Sequence, residues 1–184
     1  MMRFVLIFSV LLFSSCEKGI SYEQINLKKV DQSHFLPSDA NRWVVYTFLS
    51  PECPLSENYT KVLNRLDSTY DQQADLYYVF SGTYYALDEI KAFYRRYGLE
   101  KDNVLLDPDY QLAHYFDASI TPEAFLSDPV GKIYYRGAID NWAITLGRQR
   151  QVVDKHYLKD AIDAVLSGNE VKIKESKAVG CLLE

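Results

Sequence analysis

Trp43-Val44-Val45-Tyr46-Thr47-Phe48-Leu49-Ser50-Pro51-Glu52-Cys53-Pro54-Leu55-Ser56-Glu57-Asn58-Tyr59 is an apolar run of strand length that breaks at Ser-Pro and delivers a cysteine to the start of a helical pattern. Pro54 suits the first turn of a helix. Beyond it Tyr59, Val62, Leu63, Leu66 and Tyr70 fall on one helical face. A cysteine at such a start sits where unpaired backbone N–H groups and the positive end of the helix dipole favour negative charge, and both lower a thiol pKa. Cys53 is therefore the candidate nucleophile. The alternative is an inert buried cysteine that happens to begin a helix.

Patterns alternate on either side of this stretch. Residues 75–80 read as a second strand, and Leu87, Ile90, Phe93, Tyr94 and Tyr97 take helical spacing closed by Gly98. Residues 104–106 form a short third strand, and Asp107-Pro108-Asp109 caps a helix running to Phe116. Residues 124–127 and 132–136 are two strands joined by Asp128-Pro129-Val130-Gly131, which is hairpin chemistry. A last helix spans about 155–167, with Leu158, Ala161, Ile162 and Val165 inward, and ends at Gly168. This order predicts an α/β fold, a three-layer sandwich around a mixed central sheet.

The N-terminus speaks to compartment. Arg3, the apolar run 4–13 and Ser14-Ser15 before Cys16 make a secretory signal over residues 1–15, too short to span a bilayer as a mature helix. A cysteine directly after two small residues resembles a bacterial lipoprotein signal, with Cys16 acylated as the lipid anchor; a plain signal peptide cleaved nearby is the alternative. Residues 16–38 read as a tether and 39–184 as one domain, with 168–184 as its C-terminal tail. The expected location is the bacterial cell envelope, lipid-anchored and facing an oxidising periplasm. Of the 184 residues 48% are hydrophobic and 14% aromatic, enough for one core, and fifteen are tyrosines. A net charge of −5 with no basic stripe argues against nucleic acid as a partner. Arg148, Arg150 and Lys155 form only a small cluster mixed with acids.

Four motifs together carry a resemblance. Cys53-Pro54-Leu55-Ser56-Glu57-Asn58-Tyr59, Thr121-Pro122-Glu123-Ala124, Tyr135-Arg136-Gly137-Ala138-Ile139-Asp140 and Val179-Gly180-Cys181 stand in the order found in a secreted branch of the alkyl hydroperoxide reductase/thiol-specific antioxidant redoxins. The chain resembles this thioredoxin-fold, peroxiredoxin-like superfamily over about residues 40–184. The resemblance implies a thioredoxin-like sandwich and a cis peptide between Thr121 and Pro122, beside the reactive sulfur, offering backbone groups to an incoming substrate strand. It also places Arg136 on the same sheet edge as Cys53, where a guanidinium could stabilise a thiolate or polarise a peroxide; pairing with Asp140 or Asp128 is the alternative.

Ser56 stands where thioredoxins carry their second cysteine. Its hydroxyl can donate to a Cys53 thiolate but cannot resolve a disulfide. With Cys16 set aside as an anchor, Cys181 is the remaining thiol. In its tail Val171, Ile173, Val179 and Leu182 are interspersed with lysines, a pattern that can fold back on the domain. If the tail reaches Cys53, the pair can act as peroxidatic and resolving thiols, as an exchange pair, or as a structural staple. Ser50 fits the peroxiredoxin pattern three residues before the cysteine, whereas Tyr46 stands where an upstream proline is usual. Pro54 is closer to exchange proteins.

No cofactor is implied. Copper-delivery relatives use Cys-x-x-x-Cys with a distant histidine, but position 57 is Glu57, and His34, His114 and His156 lack ligand spacing, so no metal site is expected. The function expected from the whole is thiol-based oxidoreduction in the cell envelope through Cys53, either disulfide exchange with a protein thiol partner or peroxide reduction. Cys181, Ser56 and Arg136 support it, Thr121 and Pro122 bind substrate, and a lipid at Cys16 holds the chain to the membrane. A non-catalytic binding module stapled by Cys53 and Cys181 is the alternative.

Overall fold

The computed structural model describes residues 20–35 and 42–183. The signal segment, Cys16, both ends of the expected tether, residues 39–41 and Glu184 lie outside the described residues. Among those described, no helix is long and apolar enough to cross a membrane.

The strand and helix that decide the fold are β3 (Trp43–Phe48) and α1 (Pro54–Tyr70). They are followed by β4 (Ala74–Ser81), α2 (Leu87–Tyr97), β5 (Val104–Asp107) and α3 (Gln111–Phe116). β6 (Ile120–Thr121), β7 (Glu123–Ser127), β8 (Ile133–Gly137), the small ribbon β9 (Ala143–Thr145) and β10 (Arg148–Gln149), α4 (Tyr157–Leu166) and β11 (Cys181–Leu182) complete the chain. Gly98 closes α2 in the left-handed region, φ 66°, as its position requires. Asp107 does cap α3, though across a turn: its carboxylate accepts from the Leu112 and Ala113 N–H groups at 3.3 and 3.0 Å.

The expected tether departs from the sequence reading. Residues 20–35 carry β1 (Leu27–Lys29) and β2 (His34–Phe35), which extend one edge of the sheet. The seven-stranded order is β2-β1-β5-β4-β3-β7-β8. β3, β4 and β5 run parallel, and β1, β7 and β8 join antiparallel to their inner neighbours. Strands of two and three residues give almost no periodic signal, and what holds them is distant: Leu27 and Phe35 are buried, and Phe35 meets Tyr77 edge-on at 4.7 Å.

The sheet is covered unequally. One face, bearing Val45, Leu76, Tyr78, Leu126 and Tyr135, packs under α1, α2 and α4. The other, bearing Tyr46, Phe48, Val79 and Phe125, is covered among the described residues mainly by α3 and the N-terminal segment. Aromatic rings fill that thinner layer: Phe116 stacks on Phe125 at 5.1 Å, Tyr46 on Tyr77 at 5.7 Å, and the hydroxyls of Tyr22 and Tyr46 bond at 2.6 Å. Much of the tyrosine content is thus structural, its apolar rings buried and its hydroxyls partnered.

Candidate active site

Parallel β3 ends at the sheet edge where α1 begins, and the loop between them is tightly tied. Leu49 donates its N–H to Val79, Cys53 donates to the Ser50 carbonyl at 3.2 Å, and the Ser50 hydroxyl bonds Tyr85 Oη at 2.8 Å. Cys53 is the N-cap of α1 and Pro54 its first residue. The sulfur is entirely buried.

The Thr121–Pro122 peptide is cis. Its strand, β6, runs beside the sulfur, and the Cys53 thiol donates to the Thr121 carbonyl at 2.9 Å. The tail folds back to the same place. β11 pairs antiparallel with β6, Cys181 opposite Thr121, and the Cys181 thiol donates to Cys53 Sγ at 2.7 Å as the two stand free. Cys53, Cys181, Thr121 and Pro122 are thus brought together. Gly180 has to be glycine here, since a Cβ would lie 2.1 Å from the Thr121 carbonyl oxygen.

The two thiols have opposed electrostatics. Burial pushes Cys53 up, but the Cys181 thiol and the backbone N–H groups of Ser56, Cys181 and Leu55 outweigh it, and the net direction is down. Burial and the neighbouring Cys53 sulfur push Cys181 up to about 12. In the reduced protein, carbon-13 Cβ shifts of labelled cysteines are therefore expected to show Cys53 losing its proton below the ordinary thiol range, with Cys181 remaining protonated far above it. Cys181→Ala removes the main donor, so the Cys53 step should move to higher pH. An unmoved step would show that the Cys181 thiol does not tune it.

Two supporting residues are placed differently from expectation. Ser56 acts on the sulfur through its backbone N–H, while its hydroxyl accepts from the Ser50 N–H at 3.2 Å. The third residue of a helix turns its N–H toward the cap, and its side chain faces the loop instead. Arg136 is not brought to the thiols. It lies opposite Phe125 in the β7–β8 register, its guanidinium 5.8 Å from that ring and 3.7 Å from the Asp117 carboxylate. It therefore belongs to the sheet face away from α1, because alternate strand residues point to opposite faces. Its partner is Asp117, not Asp140 or Asp128.

Glu123 is a site residue the sequence reading quoted without giving it a role. It is buried directly after the cis proline, and its carboxylate accepts from the Ser119 N–H at 3.1 Å and is also bonded by the Ile120 N–H. It thereby holds the β6 segment against which both sulfurs are set. The tail has its own anchor before residues 177–179. Arg136 exchanges backbone bonds with Lys174 and Ser176 at 3.0 Å each, and Ser176 Oγ bonds Tyr135 Oη at 2.6 Å and the Ala138 N–H at 3.0 Å. Among the described residues, no group of three or more Cys, His, Asp or Glu side chains gathers as a metal would need.

The architecture recurs in solved structures. An uncharacterised conserved protein of Geobacillus kaustophilus superposes with a TM-score of 0.73 at 23% identity, over 87% of each chain. A hypothetical protein of Sinorhizobium meliloti does so with a TM-score of 0.71 at 23% identity, over 90% of this chain and 91% of the other. An exposed lipoprotein thioredoxin of Streptococcus pneumoniae matches with a TM-score of 0.51 at 20% identity, over 60% of this chain and 85% of its own. The fold is thioredoxin-like. No family model matches the chain, and no curated protein matches it. In this thioredoxin-like chain the first two neighbours cover nearly the whole length, whereas the thioredoxin covers a smaller share.

Proposed function

We propose that this protein is a thiol-disulfide oxidoreductase in which Cys53 and Cys181 form the redox pair, the tail cysteine serving where thioredoxins use the second cysteine of Cys-x-x-Cys. The observation that carries this reading is the contact of the two thiols at 2.7 Å, at a helix N-terminus beside a cis proline. Disulfide exchange is favoured over peroxide reduction for two reasons. The tail covers Cys53, and the Arg136 guanidinium that would polarise a peroxide is held by Asp117. The peroxiredoxin-like motifs are consistent with descent from that superfamily without its reaction. The signal at 1–15 and the acylation motif at Cys16 support a lipid-anchored enzyme at the cell envelope, meeting protein thiols or disulfides from outside. Thiol-disulfide oxidoreductases stand among the structural neighbours, including one of Bacteroides fragilis with a TM-score of 0.51 at 17% identity over 60% of this chain.

The test is an equilibrium redox titration of the full chain in detergent, reading both cysteines by thiol trapping and mass spectrometry. A bridge with a potential above about −300 mV is expected, since structural disulfides of secreted proteins lie below that value. A lower potential would mark a staple and end the enzyme reading. Hydrogen peroxide consumption by the reduced chain, absent in Cys53→Ser, would move the reaction to peroxide reduction.

A further inference from the structure

In a bridged pair either sulfur can take an incoming thiolate, and the two sulfurs here have unlike surroundings. Cys53 has no exposed surface. It lies under β11 within the core cluster that holds Leu49, Leu55 and Tyr59. Cys181 is partly exposed. Both cysteines border a cavity of about 290 Å³ whose walls include Ser50, Glu52, Tyr85 and Leu182, but only Cys181 carries exposed surface. Attack on a disulfide runs along the S–S axis, with the nucleophile opposite the leaving sulfur. Cys53, with no exposed surface, leaves an incoming nucleophile no room along that line, whereas the partly exposed Cys181 can be reached from solvent.

The leaving sulfur matters equally. Exchange is faster when the departing thiolate is the better stabilised one. The backbone N–H groups of Ser56, Leu55 and Cys181 all bear on the Cys53 sulfur, so charge released there is received by fixed donors. Among the described residues no comparable set bears on Cys181, whose pKa is raised by burial and by the Cys53 sulfur.

We propose that Cys181, not Cys53, is the sulfur that exchanges with the partner, so that the mixed disulfide forms on the tail while Cys53 departs and returns beneath it. This rests on the reading of the pair as a redox disulfide. The partner is a polypeptide dithiol. Its first thiolate attacks Cys181 Sγ, the Cys181–Cys53 bond breaks, and the bonding electron pair leaves with Cys53 as thiolate. A partner–Cys181 disulfide results. The partner's second thiolate then attacks the partner sulfur of that bond, and Cys181 departs as a thiolate. The two protons lost by the partner go to the two sulfurs of this chain. The partner is oxidised by two electrons to its own disulfide, and the Cys53–Cys181 pair is reduced by two. A partner with a single thiol stops at the mixed disulfide, which Cys53 reverses by attacking Cys181.

That last case supplies the test. The bridged full chain is mixed with glutathione, quenched in acid at millisecond intervals, and the adduct is mapped by peptide mass spectrometry. Glutathione is expected on Cys181 at least ten-fold over Cys53 at the earliest times. Adducts that appear first on Cys53, or equally on both, would overturn the proposal while leaving the redox pair intact. A chain that never bridges would overturn the redox pair and this proposal with it, and thiol counting before glutathione is added separates the two failures.

Discussion

Replacing Cys181 by serine is expected to abolish the intramolecular bridge and to leave the oxidised protein about 4–5 kcal/mol less stable than bridged wild type. The two cysteines are 128 residues apart in sequence. A cross-link over so long a loop removes much of the freedom of the unfolded chain, and the chain-entropy relation gives about that figure. Urea unfolding under oxidising and reducing conditions checks it, because in reductant the variant and wild type should unfold within about 1 kcal/mol of each other. The same variant should lose oxidation of partner dithiols altogether, since Ser56 offers no second sulfur. A bridged wild type no more stable than Cys181→Ser would show that the pair adds nothing to the fold.

Gly137→Ala is the second large effect, and it acts from the far end of the tail. Gly137 has φ 126°, where an L side chain is strained, and a Cβ there would lie 1.9 Å from the Ser176 carbonyl oxygen. The obstacle is backbone, so relief requires the 174–176 segment to leave β8. That movement breaks the paired Arg136 bonds and the Ser176 contacts with Tyr135 and Ala138. Strain of about 1–3 kcal/mol added to the loss of two or three buried bonds at about 1 kcal/mol each makes a loss of about 3 kcal/mol or more. Calorimetry or urea unfolding of the reduced protein would read it. Bridging of Cys53 to Cys181 after addition of an oxidant should also slow at least several-fold, because an unanchored tail brings Cys181 to β6 less often. A stable variant that bridges at the wild-type rate would show that the anchor does not position the thiol.

The candidate site was legible in unequal parts. Cys53, Pro54 and the helix behind them could be read from the chain because an N-terminus, its proline and an amphipathic repeat are all local. The hairpin at Asp128–Gly131 was readable for the same reason: Gly131 closes it with φ 86°, and its N–H donates to the Asp128 carbonyl at 3.0 Å. The cis Thr121–Pro122 peptide followed from the motif around it. The strand bearing Arg136 was legible, but its partner was not: the sequence offers the thiols, Asp140 or Asp128, whereas the register with β7 turns the side chain toward Asp117. The role of Ser56 was hidden because helix geometry decides whether its hydroxyl or its N–H meets the sulfur. Glu123 had a visible signal, an acid inside an otherwise apolar stretch directly after Pro122.

The sequence by itself determined the alternating frame from β3 to α4 and the position of one cysteine at a helix start, since periodicity, capping and turn chemistry act over a few residues. Only the tertiary structure decided that residues 27–35 complete the sheet and that the tail lies along β6. It also decided that Cys181 meets Cys53 and that one thiol is fully buried while the other is partly exposed. Those outcomes depend on contacts between segments far apart in the chain, where a few backbone bonds and buried side chains select one arrangement that no local pattern encodes.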